Sequence, residues 1–261
     1  MVFSGEFPPL VNVPDPAIVL THDTCRTDMV GSVAIDSPPG FQLPRSMTSG
    51  VSKHTPFTIL QETKATLRAR SPDFSGACRS LEMLSEVAEL AIENPLPKWV
   101  QDQELINLFA RACHSVLLLP RCSVSEAELH PSSDLAMHEA IRLAALLYIV
   151  GPLTAMAGDH EFELKHLGQL PNLLRTVPIN WDGLEALELW VLVHGALAER
   201  GEDREWMVAR LFERMRGRGL GWDEMFREVR GIAWLGRAFL TKLGRLEEEW
   251  RRRRRHVGGE S

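Results

Sequence analysis

The apolar positions of this chain fall into two regimes. From about Gly76 onward they recur at steps of three and four, the spacing that lines up side chains on one helix face. Leu81, Leu84, Ala88 and Ala91 form the first run. Leu105, Leu108, Phe109, Ala112 and Val116 form the second, and Pro120 closes it. Ser123 and Glu126 stand at capping-box spacing, with Pro131 soon after. Ser133 or Asp134 is placed to cap a helix over 135–149, whose apolar stretch is expected to end or bend at Gly151-Pro152. Asp182 with Glu185 reads as the cap of a helix over 184–198. Val208, Leu211, Phe212 and Met215 follow the helical template, as do Met225, Phe226, Val229, Ile232 and Ala233, carried one turn further. Gly217, Gly219 and Gly221 lie between these two runs and read as a helix stop and turn. No strand-like alternation of more than a few residues follows position 76. The pattern predicts an all-α domain of about seven helices over 76–241, with no repeat of fixed period.

Residues 1–75 differ. They hold nine of the sixteen prolines, with Ser, Thr, Gly and Asp between them. Such a segment buries little apolar surface against its ordering entropy, so it is expected to be disordered or irregular. Short apolar pieces such as 17–20 remain able to dock on the domain.

Composition adds limits. Of the 261 residues, 44% are hydrophobic and 25% charged, which excludes a wholly disordered, collagenous or multi-span membrane chain. The net charge of −6 is unevenly spread. Residues 76–241 hold 16 Lys and Arg against 24 Asp and Glu, a net of −8, so the helical body is not expected to bind nucleic-acid phosphates unaided. The C-terminal tail, 242–261, is basic. Its run of Arg251, Arg252, Arg253, Arg254 and Arg255 has two readings, a nuclear import signal or a solvated helix end whose cations suit the helix dipole.

Candidate chemistry is sparse. Cys25, Cys78, Cys113 and Cys122 form no Cys-x-x-Cys pair, and buried thiols in a reducing compartment are the expectation. The start of the chain shows no secretory signal, and the longest uncharged apolar stretch falls short of the ~20 residues that span a bilayer, so an intracellular protein without a membrane partner is expected. Glu163 and His166 make one Glu-x-x-His pair, where a di-iron bundle needs two. His138-Glu139 and His160-Glu161 are isolated pairs. Neither a nucleophile elbow nor a phosphate-binding loop occurs. No catalytic, cofactor or metal site is therefore expected. A helical metalloenzyme using Glu163 and His166, and a plain helical scaffold or adapter, are the alternatives.

Two segments carry a resemblance. The first is Leu189-Trp-Val-Leu-Val-His-Gly-Ala-Leu-Ala198, followed by a charged turn, a Trp206-opened helix, a Gly-Leu turn, a Trp222-Asp-Glu helix and the pair Trp234-Leu235. The second is Glu139-Ala-Ile-Arg-Leu-Ala-Ala-Leu-Leu-Tyr148. In order and spacing these resemble the C-terminal helical domain of fungus-specific transcription-factor-like proteins. The resemblance spans about 76–240 and marks Arg142, Tyr148, Trp190, Gly195, Trp206, Trp222 and Trp234 as structural signature residues. It implies a regulatory, protein-interacting role in the nucleus, with the cytoplasm as the other location. The implied partners are the transcriptional machinery or a related regulator. Many members begin with a six-cysteine zinc cluster that reads DNA. This sequence has none, so direct DNA binding by the chain alone is not expected; a cluster-less relative, a shortened gene model and a fragment all stay open. Two local arguments need no family. Gly195 permits close helix–helix approach, and Arg142, in an otherwise apolar helix, is expected to pair with an acidic group at the helix's edge. Gly231 and Gly236 are read as lying within the last signature helix, where a better helix former would be expected.

Overall fold

The computed structural model describes residues 27–44, 57–93, 102–130, 134–157 and 164–258. Among these all regular secondary structure is helical, without a strand. After a helical segment over 27–35 come α1 (Thr58–Arg70), a single 3-10 turn (Pro72–Phe74), α2 (Ser75–Glu93), α3 (Gln103–Leu117), α4 (Val124–Leu129) and α5 (Leu135–Ala157). Then follow α6 (Gln169–Thr176), α7 (Glu185–Ala198), α8 (Gly201–Gly217), α9 (Trp222–Ile232) and α10 (Gly236–Gly258).

Among the described residues, ten α-helices from Thr58 onward, besides the helical segment 27–35 and the 3-10 turn, stand where about seven were expected. The extra ones have weak apolar signals. In α1 the buried side of the helix includes Thr63 and Lys64, so periodicity of apolar residues alone passes over it. Lys64 reaches Glu82 of α2 at 2.8 Å, which compensates the buried ammonium. α6 has only eight residues, and α10 has charged positions over most of its surface. The helical body thus begins at Thr58, ahead of the expected Gly76, and segment 27–35 also packs into it through Met29 and Val33. Residues 1–26 and 45–56 lie outside the described residues.

α5 and α7 form the centre. From Ala136 to Val150 nearly every α5 side chain is buried, as is every one from Leu187 to Leu197 of α7. A helix that is apolar all round belongs inside a core. In α5 the stretch Leu135–Leu153 is long and apolar enough to cross a membrane by composition, and 83% of it is covered by the rest of the fold. α7 packs against α5, α8 and α9, and α2 pairs with α3.

Several boundaries differ from the expected ones. α5 does not end at Gly151-Pro152 but continues to Ala157. Gly151 instead gives room to the Phe239 ring of α10, which occupies the space a Cβ would need. Asp182 does not cap α7. Gly183, with φ +75°, turns the chain, and the Leu184 N–H donates to the Trp181 carbonyl at 2.7 Å. The stop at Gly219 is as expected. Its φ of +67° lets the Leu220 N–H reach the Met215 carbonyl and its own N–H reach that of Arg216, closing α8 in a Schellman motif. The capping box of α4 is formed in both directions between Ser123 and Glu126.

Gly236 is not inside the last signature helix. That helix stops at Ile232, and Gly236 opens α10. Gly231 is inside, and the reason is packing: a Cβ there would stand 2.6 Å from Ile59 Cδ1 and 2.8 Å from Ile59 Cβ. Gly231→Ala is expected to lose about 1–3 kcal/mol to overpacking, more than the ~0.5–1 kcal/mol that alanine adds in a helix interior. Urea unfolding checks it, and adding Ile59→Ala should return part of the loss.

Candidate functional site

The signature residues fall into two buried groups and a rim. The first group is aromatic. Trp190 is fully buried, and its Nε1–H donates to the Ala233 carbonyl at 2.9 Å, in the break between α9 and α10. Its ring lies 4.6 Å from His194 and 5.9 Å from Tyr148. Tyr148, Trp234 and Phe239 complete a cage around the His194 imidazole, at 5.1–5.8 Å between centroids. The His194 Nδ1–H donates to the Trp190 carbonyl at 2.8 Å. Burial among rings pushes His194 down to about 4, against the small upward pull of that carbonyl. Beside it the thioether end of Met207 in α8 fills the place of a Gly195 Cβ, so the close approach expected at Gly195 is between α7 and α8.

The second group is ionic. Arg142 is 1% exposed and lies between two carboxylates. Its Nε and Nη2 donate to Glu139 at 2.8 and 2.7 Å, and its Nη2 also donates to Asp36 at 2.8 Å. The expected acidic partner is therefore two residues, one on the same helix and one from a segment expected to be irregular. Asp36 holds φ +52°, a left-handed conformation that aspartate tolerates better than most residues. The Ser37 N–H closes back on the Ser32 carbonyl at 3.0 Å, so this residue ends segment 27–35 and its carboxylate turns to Arg142. Burial raises the Asp36 carboxyl, and the Arg142 guanidinium outweighs it, leaving the group below its ordinary value. Burial alone would lower Arg142, but Glu139 and Asp36 hold it above its ordinary value. Glu139 also accepts the Cys122 N–H at 3.2 Å, and Arg121 lies 3.4 Å from Asp36.

Of the pair named for the alternative metalloenzyme reading, only His166 is among the described residues. Glu163 lies outside the described residues, as do His160 and Glu161. His166 is buried next to this ionic group, with no hydrogen bond to either ring nitrogen. Burial pushes it down to about 4, Asp36 raises it a little and Arg142 lowers it. His138 stacks on Phe74 at 3.9 Å while its neighbour Glu139 binds Arg142. Among the described residues no group of three or more His, Cys, Asp or Glu side chains is arranged to hold a metal. Cys78 and Cys113 are buried free thiols, both shifted up by burial, and Cys122 is a half-buried one. Cys25 lies outside the described residues.

Trp206 and Trp222 form the rim. Trp206 is half-buried under the Arg175 guanidinium, 4.8 Å above its ring, and Arg175 pairs with Asp203. Trp222 opens α9 beside a capping interaction in which Glu224 accepts the Gly221 N–H at 2.8 Å. The five arginines Arg251, Arg252, Arg253, Arg254 and Arg255 are all exposed on α10. Arg251 pairs with Glu247, and Arg253 lies over the Phe212 ring at 5.4 Å.

One carboxylate was missed by sequence reasoning altogether. Glu199, just past α7, is buried and accepts the Gly168 N–H with both oxygens at 3.0–3.1 Å. Burial raises it to about 7, with the Gly168 N–H opposing. A folded-state value above the unfolded one means that ionised Glu199 costs stability as pH rises through 7. Glu199→Gln should therefore be the more stable protein at pH 8.5, by about 1–3 kcal/mol, with the difference closing as pH falls toward 4.5. Thermal unfolding of both proteins across that range measures it. The signal in the sequence, a glutamate at the end of an apolar helix, is too common to single out.

Compared with family models, with curated proteins and with solved structures, the chain matches none.

Proposed function

We propose that this chain is a regulatory, protein-interacting helical domain of the fungal transcription-factor type, acting in transcriptional control in the nucleus without a zinc cluster of its own. One observation carries the reading. Residues of two signature segments far apart in sequence, Tyr148 from one and Trp190 and Trp234 from the other, meet around His194. The motif pattern behind the resemblance thus corresponds to one packed centre. The role proposed is binding rather than catalysis, with other proteins as partners. The acidic body supports leaving DNA contact to a partner, and the exposed arginine run is the segment this reading uses for nuclear import.

The test tethers the full chain to a reporter promoter through an unrelated DNA-binding module. Reporter output is expected to change several-fold relative to the module alone; unchanged output would refute the regulatory role. In the same cells, glutamine at all five of Arg251, Arg252, Arg253, Arg254 and Arg255 should abolish nuclear accumulation of the untethered chain. An unaltered distribution would remove the import signal from the proposal. Specific, high-affinity binding of the purified chain to duplex DNA at physiological salt would contradict the expectation that the chain does not bind DNA unaided.

A further inference from the structure

A cavity of about 730 Å³ opens between α5, α7, the start of α8 and α10. Its size is that of a small-molecule site. Its inner wall is apolar, formed by Leu147 and Val150 of α5, Leu167, and Leu197 of α7, with Phe239 at its edge. Its mouth is cationic. Lys242 and Arg245, three apart on α10, are on one helix face, exposed at the opening. Arg200 and Arg204 stand across from them.

The charges at this mouth are not equally satisfied. Arg204 is bound to Glu249 at 2.7 Å, and the Glu199 carboxylate is held by the Gly168 N–H. Lys242 and Arg245 have no hydrogen-bond or ion-pair partner among the described residues. Two neighbouring uncompensated cations above an apolar wall are complementary to a molecule with an anionic head and an apolar body. The head would complete the ion pairs, and the body would cover surface that otherwise faces water.

We infer that this cavity is a binding site for an apolar monocarboxylate of the fatty-acid type, its carboxylate at Lys242 and Arg245 and its chain directed along Leu147, Val150, Leu167 and Leu197. Such a site does not depend on the regulatory role proposed above. It would adjoin the aromatic centre, because the Phe239 ring packs on Gly151 and lies 5.3 Å from the Trp234 ring. Occupancy would therefore be visible in tryptophan emission.

Dodecanoate is the probe, titrated into the full chain by calorimetry and tryptophan fluorescence below its aggregation concentration. Saturable one-to-one binding is expected. Acetate, with the head but no chain, and dodecan-1-ol, with the chain but no carboxylate, should each bind about ten-fold more weakly or worse. The double variant Lys242→Gln/Arg245→Gln should lose about ten-fold or more in dodecanoate affinity while its unliganded thermal unfolding stays unchanged. Ala198→Phe, which narrows the cavity from α7, should weaken dodecanoate without altering the far-UV circular dichroism. Failure of dodecanoate to bind the unaltered chain would overturn the inference. So would equal affinity for dodecanol, or equal affinity in the double variant.

Discussion

Replacing Arg142 by Met should cost the fold about 3–5 kcal/mol, the usual cost of removing one partner from a buried ion pair. The guanidinium serves Asp36 and Glu139 at once, and both are nearly as buried as Arg142 itself. Without it two carboxylates face each other in a poorly hydrated space. Arg121 remains 3.4 Å from Asp36, but it is partly exposed and offsets only part of the loss. Urea unfolding at pH 7 measures the difference. The pH dependence is a second check. In the unaltered protein Asp36 lies below its ordinary value, so its contribution is present above the unfolded pKa and is lost as pH falls through the folded one. In the Met variant that sign reverses, and the gap between the two proteins should narrow in acid. The combination Arg142→Met, Asp36→Asn and Glu139→Gln should recover much of the loss, because no uncompensated charge remains. Asn also keeps the left-handed backbone at position 36 available. A Met variant as stable as the original would show that the cluster is solvated in solution.

Trp190→Ala is expected to be as damaging, at about 3–5 kcal/mol, through the cavity it leaves. The indole is fully buried and touches Tyr148 and His194. Its Nε1–H also satisfies the Ala233 carbonyl, which lies in the non-helical link between α9 and α10, where no backbone N–H of α10 reaches it. Trp190→Phe separates the two effects. It keeps most of the ring and abandons the hydrogen bond, so about 1–3 kcal/mol is expected. A Phe variant as unstable as the Ala variant would place the whole effect in that one bond. His194 adds a pH signature in the same place. An imidazole pushed down to about 4 gives stability above its unfolded value, near 6.5, that is lost as pH falls toward 4.

The sequence was most legible where burial is one-sided or complete. The periodic runs of α2, α3, α8 and α9 follow the apolar spacing, and α7 is long and apolar enough to read directly. What escaped was set by tertiary contact. α1 is held by a buried lysine salt bridge and by Ile59 against Gly231, neither of which shows as hydrophobic periodicity. α5 runs through Gly151-Pro152, and Phe239 of a helix 88 positions later fills the glycine's free side. At the ionic centre the sequence pointed to Arg142 and to the need for an acid. It could not point to Asp36, since local composition there speaks only of turns and prolines. Trp190, Trp234 and Tyr148 stood out in the sequence as large aromatic positions on apolar helices, whereas His194 within them looked like one more position on an apolar face. Glu163 lies outside the described residues, so the pair it forms with His166 stays a sequence observation.

The tie between Asp36 and Arg142 spans 106 residues of chain. Closing a loop that long is only slightly more costly in entropy than closing one half its length, but the charges gain nothing until both arrive. Segment 27–35 is expected to be among the last pieces to dock in folding, because the surface that receives it is built by α5. Interactions absent from the folding transition state act on the unfolding rate. The aspartate at the end of this short helix would then act as a kinetic clasp: weakening it would leave the speed of folding nearly untouched and shorten the lifetime of the folded chain.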